Sequence, residues 1–225
     1  MTDPIVARLR AELRHAAEPG RAAGMRAYMR SAMPFLGVRR PVVRRIVRTG
    51  AGTEPADGLA DLLRVATVLW REATYREERY AATDLLGLRV ARGRPEVVPL
   101  CTEMIVTGAW WDHVDAVAPL LGAVLRAHRA EVEPMVRGWS VDPNFWLRRA
   151  AIICQLDAKV STDPVLLADV IEENLTEREF FVRKAIGWAL RQYARTDPDW
   201  VREFVAAHRD NLSPLSYREA VKHLT

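Results

Sequence analysis

Residues 145 to 150 of the chain read Phe-Trp-Leu-Arg-Arg-Ala, and residues 180 to 185 read Phe-Phe-Val-Arg-Lys-Ala. Both stretches begin with an aromatic pair, and they lie 35 positions apart. The pair Trp110-Trp111 lies another 35 positions upstream, and Tyr75 lies 35 positions before that pair. A repeat of this length can hold two helices, so the spacing predicts an array of stacked helical hairpins.

Helix-start signals recur along the chain and favour a wholly helical fold. Each combines a capping side chain with a proline suited to the first helical turn, and each precedes apolar residues spaced three and four apart. No stretch shows convincing period-two alternation between hairpin turns. The signals are Asp3-Pro4, Asp142-Pro143, Asp163-Pro164, Asp197-Pro198 and Ser213-Pro214.

The predicted fold class is all-α, with HEAT-like helical-hairpin repeats stacked into a curved solenoid that has a concave basic face. A single hairpin cannot bury its own apolar face, whereas stacked neighbours share a continuous core. Because 225 residues can hold one core or one continuous array, residues 1–225 are predicted to form a single HEAT-like repeat domain. Residues one repeat apart then line up on one face of the stack, so Arg149 and Lys184 are predicted to lie side by side there as a pair of cations. Phe145, Phe180 and Phe181 are interpreted as helix-to-helix packing residues, and Trp110 as a core residue.

Composition excludes several classes of protein. With 49% apolar and 28% charged residues, the chain has the make-up of a soluble globular protein. No run approaches the roughly 18 uncharged apolar residues that a membrane span needs, and the charged N-terminus is neither a signal nor a transit peptide, so a cytoplasmic location is predicted. Cys101 and Cys154 lie in apolar helical runs and are predicted to be buried free thiols. No Cys or His spacing is typical of a metal site.

The charge of the chain is unevenly distributed. The net charge is only +4, but residues 21 to 48 contain eight arginines and no acid. Such a block is either a solvated helix face or a phosphate-binding surface, and the sequence alone leaves both interpretations open.

Trp111 and Asp115 are the first candidates for a chemical site. They are four residues apart, so they project from one face of a predicted helix, away from the apolar side marked by Leu120, Leu121 and Val124. Asp115 has no basic residue three or four positions away. On sequence alone, Asp112 could equally be a helix-start carboxylate that accepts from backbone N–H groups, and Asp115 a surface acid.

The chain resembles the AlkD-like DNA alkylation repair family, which consists of HEAT-repeat DNA glycosylases. The strings WWDHVD at 110–115, FWLRRAAI at 145–152 and KAIGWALRQY at 184–193 carry the resemblance. Further matching segments lie at 29–41 and 212–224, so the likeness extends over nearly the whole chain.

The resemblance implies a role for each matching residue. It makes Asp115 the catalytic carboxylate, Trp111 and Trp188 the aromatic walls beside the lesion, and Tyr28 a further lesion contact. The sequence departs from the family pattern at Arg39, where glutamine is usual, and at Tyr217, where lysine is common. Both departures leave the local DNA contacts open. The predicted DNA-binding residues are Arg149, Lys184, Arg191, Arg39, Arg40 and Arg44.

The implied activity is hydrolysis of the N-glycosidic bond of cationic N3- or N7-alkylpurines, such as 3-methyladenine and 7-methylguanine, in duplex DNA. A cationic base is already a good leaving group, so a carboxylate that stabilises the developing sugar cation is a sufficient minimal catalyst. The product would be an abasic site, formed by a monofunctional enzyme without metal or other cofactor. The expected partner is double-stranded DNA with alkylated bases, bound by a monomer associated with the bacterial nucleoid.

Two alternative functions remain at this point, together with alternatives for three single residues. The chain could be a non-catalytic HEAT-repeat protein that binds damaged or branched DNA through charge and shape. It could instead be a helical-repeat scaffold whose concave surface holds a peptide or a protein. At the level of single residues, Arg149 could pair with an acid on a neighbouring repeat, Trp188 could be a core residue, and Tyr28 could serve packing.

Overall fold

The protein is described by a computed structural model that covers residues 3–50 and 58–224. These residues contain helices and no strands, which confirms the all-α prediction. The α-helices are α1 (Pro4–His15), α2 (Pro19–Tyr28), α3 (Arg40–Gly50), α4 (Leu59–Arg71), α5 (Arg76–Leu86), α6 (Val98–Gly108), α7 (Trp111–Ala127), α8 (Arg129–Ser140), α9 (Phe145–Ile153), α10 (Pro164–Glu172), α11 (Phe180–Tyr193), α12 (Pro198–Ala207) and α13 (Pro214–Ala220). Short 3-10 helices span Pro95–Val97, Lys159–Ser161 and Val221–His223.

Four of the five predicted helix-start signals cap a helix. Asp3, Asp163, Asp197 and Ser213 accept hydrogen bonds from backbone N–H groups of the first turns of α1, α10, α12 and α13, and a proline follows each of them. These caps satisfy N–H groups that have no partner inside the helix. The starts of these four helices are therefore determined by local sequence.

The prediction at Asp142-Pro143 is wrong by two residues. Helix α9 begins at Phe145, and its cap is Asn144, whose side chain accepts from the Trp146 N–H at 3.0 Å. Asp142 accepts instead from the Asn144 N–H at 2.7 Å and so holds the turn before the helix. Two capping side chains stand close together here, and the one nearer the apolar run caps the helix.

The chain forms two compact units, Met1–Arg92 and Gly93–Thr225. In the first unit, α1, α3, α4 and α5 pack around a core that includes Leu9, Leu13, Leu69 and Trp70. The single-domain prediction and the predicted concave basic face stay predictions.

A buried glutamate organises the segment before α3 in the first unit. Glu77 of α5 accepts hydrogen bonds from the backbone N–H groups of Leu36, Gly37 and Val38 at 2.9 to 3.1 Å. Gly37 has a φ of +88°, and a Cβ there would lie 2.1 Å from the carbonyl oxygen of Glu18. The bend therefore requires glycine, and the carboxylate satisfies the N–H groups that the bend leaves unpaired.

In the second unit, helices α7, α9, α11 and α13 form a row in which each packs against the next. Helices α8 and α10 pack against α9 and against each other. This arrangement is the predicted stack of helical hairpins, seen within one unit.

The aromatic pairs spaced by 35 residues meet at the starts of three helices in that row. The rings of Trp110 and Phe181 lie 5.5 Å apart, those of Trp146 and Phe181 4.9 Å, and those of Phe145 and Trp146 4.6 Å. Trp110, Trp146 and Phe181 therefore join the starts of α7, α9 and α11, which confirms the packing interpretation for these rings. Phe145 contacts Trp146 of its own helix, and Phe180 is 51% exposed and contacts Phe181 of its own helix.

Both cysteines are buried and free, as predicted, and burial raises the pKa of each thiol to about 12. Over residues 3–50 and 58–224, no helix is both long and apolar enough to cross a membrane. The same residues contain no group of three or more His, Cys, Asp or Glu side chains that could hold a metal ion.

Candidate active site

Helix α7 presents Trp111 and Asp115 on one face. A left-handed residue, Ala109 with a φ of 41°, ends α6, and Trp110 with extended backbone precedes α7. Val114 and Val117 on the other side of α7 are fully buried, whereas Trp111 and Asp115 are part-buried. The turn and the amphipathic helix together place the tryptophan and the acid one helical turn apart at a sheltered surface.

Arg149 of α9 is the partner of Asp115. Its Nε donates to Oδ1 at 2.8 Å, and its Nη2 donates to Oδ2 at 2.9 Å. A third donor, Nη1, binds the backbone carbonyl of Phe181 in α11. The Arg149 side chain is only 4% exposed and that of Asp115 is 18% exposed. This two-point ion pair therefore ties the three helices together and fixes the orientation of the carboxylate.

The environment of Asp115 has opposing effects on its charge. Burial raises the pKa of Asp115 above its ordinary value of 3.8, while the hydrogen bonds and the positive charge of Arg149 act to lower it. Asp112 on the same helix contributes a small further rise. The acid is desolvated, so its charge acts more strongly on a nearby group than it would in water.

Trp188 lies on α11, next to a glycine that allows a close helix approach. A Cβ at Gly187 would lie 2.5 Å from the Cβ of Glu219 and 2.8 Å from the carbonyl oxygen of Ser216, both on α13. The groups that approach Gly187 are therefore the backbone of Ser216 and the Cβ of Glu219. Trp188 itself is part-buried.

The two other predicted phosphate-binding cations of this unit bind one acid. Lys184 Nζ lies 2.8 Å from Oε1 of Glu219, and Arg191 Nη1 hydrogen-bonds to Oε2. The lysine lowers the pKa of Glu219, which keeps that carboxylate ionised. Arg149 and Lys184 were expected to line up on one face as cations. In the structure each of them forms an ion pair with a carboxylate, Arg149 with Asp115 and Lys184 with Glu219.

The remaining predicted site residues belong to the first unit. Tyr28 ends α2 and is 73% exposed, and Arg39 is exposed just before α3. Arg40 binds Asp84 at 2.8 Å and lies over the ring of Tyr80, and Arg44 lies 3.8 Å from the same acid. Burial raises the pKa of Asp84, and Arg40 and Arg44 oppose that rise.

Neither Glu219 nor Glu77 is predicted from the sequence, and the ion pair of Arg149 is predicted only as an alternative. The spacing of these charges in the sequence could have indicated the ion pairs. Asp115 and Arg149 are 34 residues apart, and Arg191 and Glu219 are 28 residues apart. Opposite charges separated by about one repeat lie on neighbouring hairpins of a stack, where they can meet.

The chain is similar to known proteins both in sequence and in structure. Residues 9–224 match the family described as DNA alkylation repair enzyme. No curated protein matches the chain. A solved structure described as a predicted DNA alkylation repair enzyme from Enterococcus faecalis is 34% identical, with a TM-score of 0.79, and covers 93% of this chain and 97% of that one. The structure of smu.31 from Streptococcus mutans UA159 is 16% identical, with a TM-score of 0.63 and coverage of 81% and 92%, and shows a shared fold alone.

Proposed function

The chain belongs to the DNA alkylation repair enzyme family, and on that basis we propose that it is a monofunctional DNA glycosylase. Its substrates would be cationic N3- and N7-alkylpurines in duplex DNA, with 3-methyladenine and 7-methylguanine as the simplest examples. The proposal depends on one observation: a desolvated carboxylate, Asp115, is held in one orientation by Arg149 on the helix face that carries Trp111.

The chemistry needs little beyond that carboxylate. Alkylation at N3 or N7 gives the purine a positive charge, so the base leaves as a neutral molecule without being protonated. As the glycosidic bond breaks, positive charge develops on the deoxyribose, and the fixed negative charge of Asp115 lowers the free energy of that state. The same oxygen atoms can accept a hydrogen bond from water and direct it at the anomeric carbon. Water supplies hydroxide to the sugar and leaves a proton, so the products are an abasic site and a neutral base.

Arg149 is proposed to orient the acid and still to contact DNA. A guanidinium has five N–H donors, and the bonds to Asp115 and Phe181 use three of them. We assign the other two to a phosphate oxygen of the strand that carries the lesion, at the small part of the side chain that is exposed. An arginine suits this double role because its planar group holds a carboxylate at two points without turning.

The aromatic residues would supply affinity for the damaged nucleotide. The faces of Trp111 and Trp188 attract a cationic purine by about 0.5 to 2 kcal/mol each, depending on how far water is excluded. Tyr28 is proposed as a further contact. Backbone contacts are assigned to Lys184, Arg191, Arg39, Arg40 and Arg44, and such contacts position the duplex without reading its sequence.

The direct test is release of the base from a duplex that contains a single 7-methylguanine. Wild-type protein is expected to release it, and Asp115→Asn is expected to lose at least about 100-fold in single-turnover rate, in line with the loss of a group that stabilises transition-state charge. Asp112→Asn, a change of the same kind one turn earlier, is the matched control and should retain most of the rate. The strand should break only after alkali, because no lysine is placed as a Schiff-base nucleophile.

Two results would contradict the proposal. Equal rates for wild type and Asp115→Asn would remove this acid from the mechanism. Tight binding to the methylated duplex without any base release would favour the non-catalytic alternative, a HEAT-repeat protein that binds damaged or branched DNA.

A further inference from the structure

Glu219 on α13 is the shared partner of two cations on α11. Its Oε1 lies 2.8 Å from Lys184 Nζ, and its Oε2 accepts a hydrogen bond from Arg191 Nη1. Lys184, Trp188 and Arg191 are spaced by four and three residues on α11, so they share one helix face. The last helix of the fold thus places a negative charge among cations beside a tryptophan that is proposed to contact the lesion.

Packing holds Glu219 in this position. Gly187 lets α13 approach α11 so closely that an added Cβ would lie 2.5 Å from the Glu219 Cβ. Ser216, one turn before Glu219, is buried and donates from Oγ to the carbonyl of Arg183 at 2.9 Å. Ser213 caps the start of α13. The close packing of α13 against α11 therefore fixes the position of the Glu219 carboxylate.

The negative charge of Glu219 reduces the attraction of Lys184 and Arg191 for the DNA backbone. Glu219 binds Lys184 and Arg191, and Lys222 acts on it at longer range. The carboxylate therefore removes one unit of the positive charge that these cations would otherwise present. A phosphate that binds Lys184 or Arg191 must compete with Glu219 for its N–H donors. The stability that the pair contributes to the fold is small, because Lys184 is more than a third exposed.

We propose that Glu219 is a specificity-determining counter-ion for DNA binding by this protein. In the free protein it occupies Lys184 and Arg191, and duplex DNA has to replace it before both cations reach the backbone. Undamaged DNA, which gains nothing from Trp188, is consequently held less tightly. The inference rests on the proposed function only in assigning Lys184 and Arg191 to the DNA backbone.

The experiment compares wild type with Glu219→Gln and with Glu203→Gln. Gln has nearly the shape of Glu and lacks its charge. Glu203 lies exposed on α12 and makes no ion pair within the described part of the chain, so its change alters net charge equally without freeing a cation. Affinity for an undamaged duplex is measured by fluorescence anisotropy across a salt series, with circular dichroism as the check on folding.

Glu219→Gln is expected to bind undamaged DNA more tightly than wild type and Glu203→Gln do. The salt dependence of its affinity should also be steeper than theirs. One more phosphate contact raises the magnitude of the slope of log affinity against log salt by about 0.9. The advantage over wild type should therefore shrink about threefold between roughly 50 and 200 mM salt. Adding Lys184→Gln and Arg191→Gln to the variant should abolish this gain.

Equal slopes for Glu219→Gln and Glu203→Gln, or weaker binding by Glu219→Gln, would overturn the inference. A gain that survives the loss of both cations would overturn it as well. Should Glu219→Gln misfold, Glu219→Ala takes its place with the same expected slope. Failure of the proposed function would look different, since wild type itself would then not bind duplex DNA or not release 7-methylguanine.

Discussion

Arg149 donates two hydrogen bonds to the two carboxylate oxygens of Asp115, and a third to a carbonyl of the next helix in the row. The acid that we propose for catalysis therefore also takes part, through Arg149, in a structural contact between α7, α9 and α11. Its orientation and its charge both depend on the arginine.

The rate of base release should depend on pH through Asp115. The ionised form is the active one, and burial raises the pKa of Asp115 above 3.8, so activity falls as pH drops through that raised pKa. The acid limb should lie at a higher pH than an ordinary aspartate would give. Single-turnover rates between about pH 4 and pH 8, corrected for spontaneous depurination, measure it. A rate that stays constant down to the bottom of this range would contradict the prediction.

Replacing Arg149 by methionine should lower base release by about 10- to 1000-fold, since Asp115 loses both its orientation and its counter-charge. The acid limb should also move to higher pH, because Arg149 acts to lower the pKa of Asp115. The control is Arg148→Met, which removes an ion pair with Glu177 instead. An acid limb that does not move in Arg149→Met would show that the arginine does not control the charge of the acid.

Gly187→Ala should destabilise the protein by about 1 to 3 kcal/mol, because the new methyl group overlaps α13 and forces it away from α11. Thermal unfolding monitored by circular dichroism measures the change. Gly138→Ala in α8 is the matched control, since nothing lies within 4 Å of a Cβ there. That variant should be as stable as wild type or slightly more stable, since alanine suits a helix better than glycine. Equal behaviour of the two variants would contradict the prediction.

Glu77→Gln should cost about 2 to 4 kcal/mol of stability. One of its oxygens becomes an NH₂ group, which faces backbone N–H donors and leaves at least one of them without an acceptor. Chemical denaturation followed by fluorescence measures the cost. Glu72→Gln, an exposed site at the end of α4, should change stability by less than about 0.5 kcal/mol. A cost at Glu77 no larger than this would show that its carboxylate is not needed to hold residues 36 to 38.

Much of the fold follows from the sequence, and less of the site does. Pro-containing caps such as Asp163-Pro164 define helix starts because they act over three or four residues. The competing caps at Asp142 and Asn144 show the limit of that argument, since either side chain can accept from a nearby N–H. The carboxylate of Glu77 gives no such local signal, because the backbone N–H groups that donate to it lie about 40 residues away along the chain.

The sequence alone determined that the chain is helical, that it repeats every 35 residues, and that Trp111 and Asp115 share one helix face, because caps, periodicity and helical spacing act over a few residues. Only the tertiary structure decided which charges meet. Arg149 holds Asp115, and Glu219 holds Lys184 and Arg191, because stacking sets neighbouring helices at contact distance and burial favours charges that find a partner there.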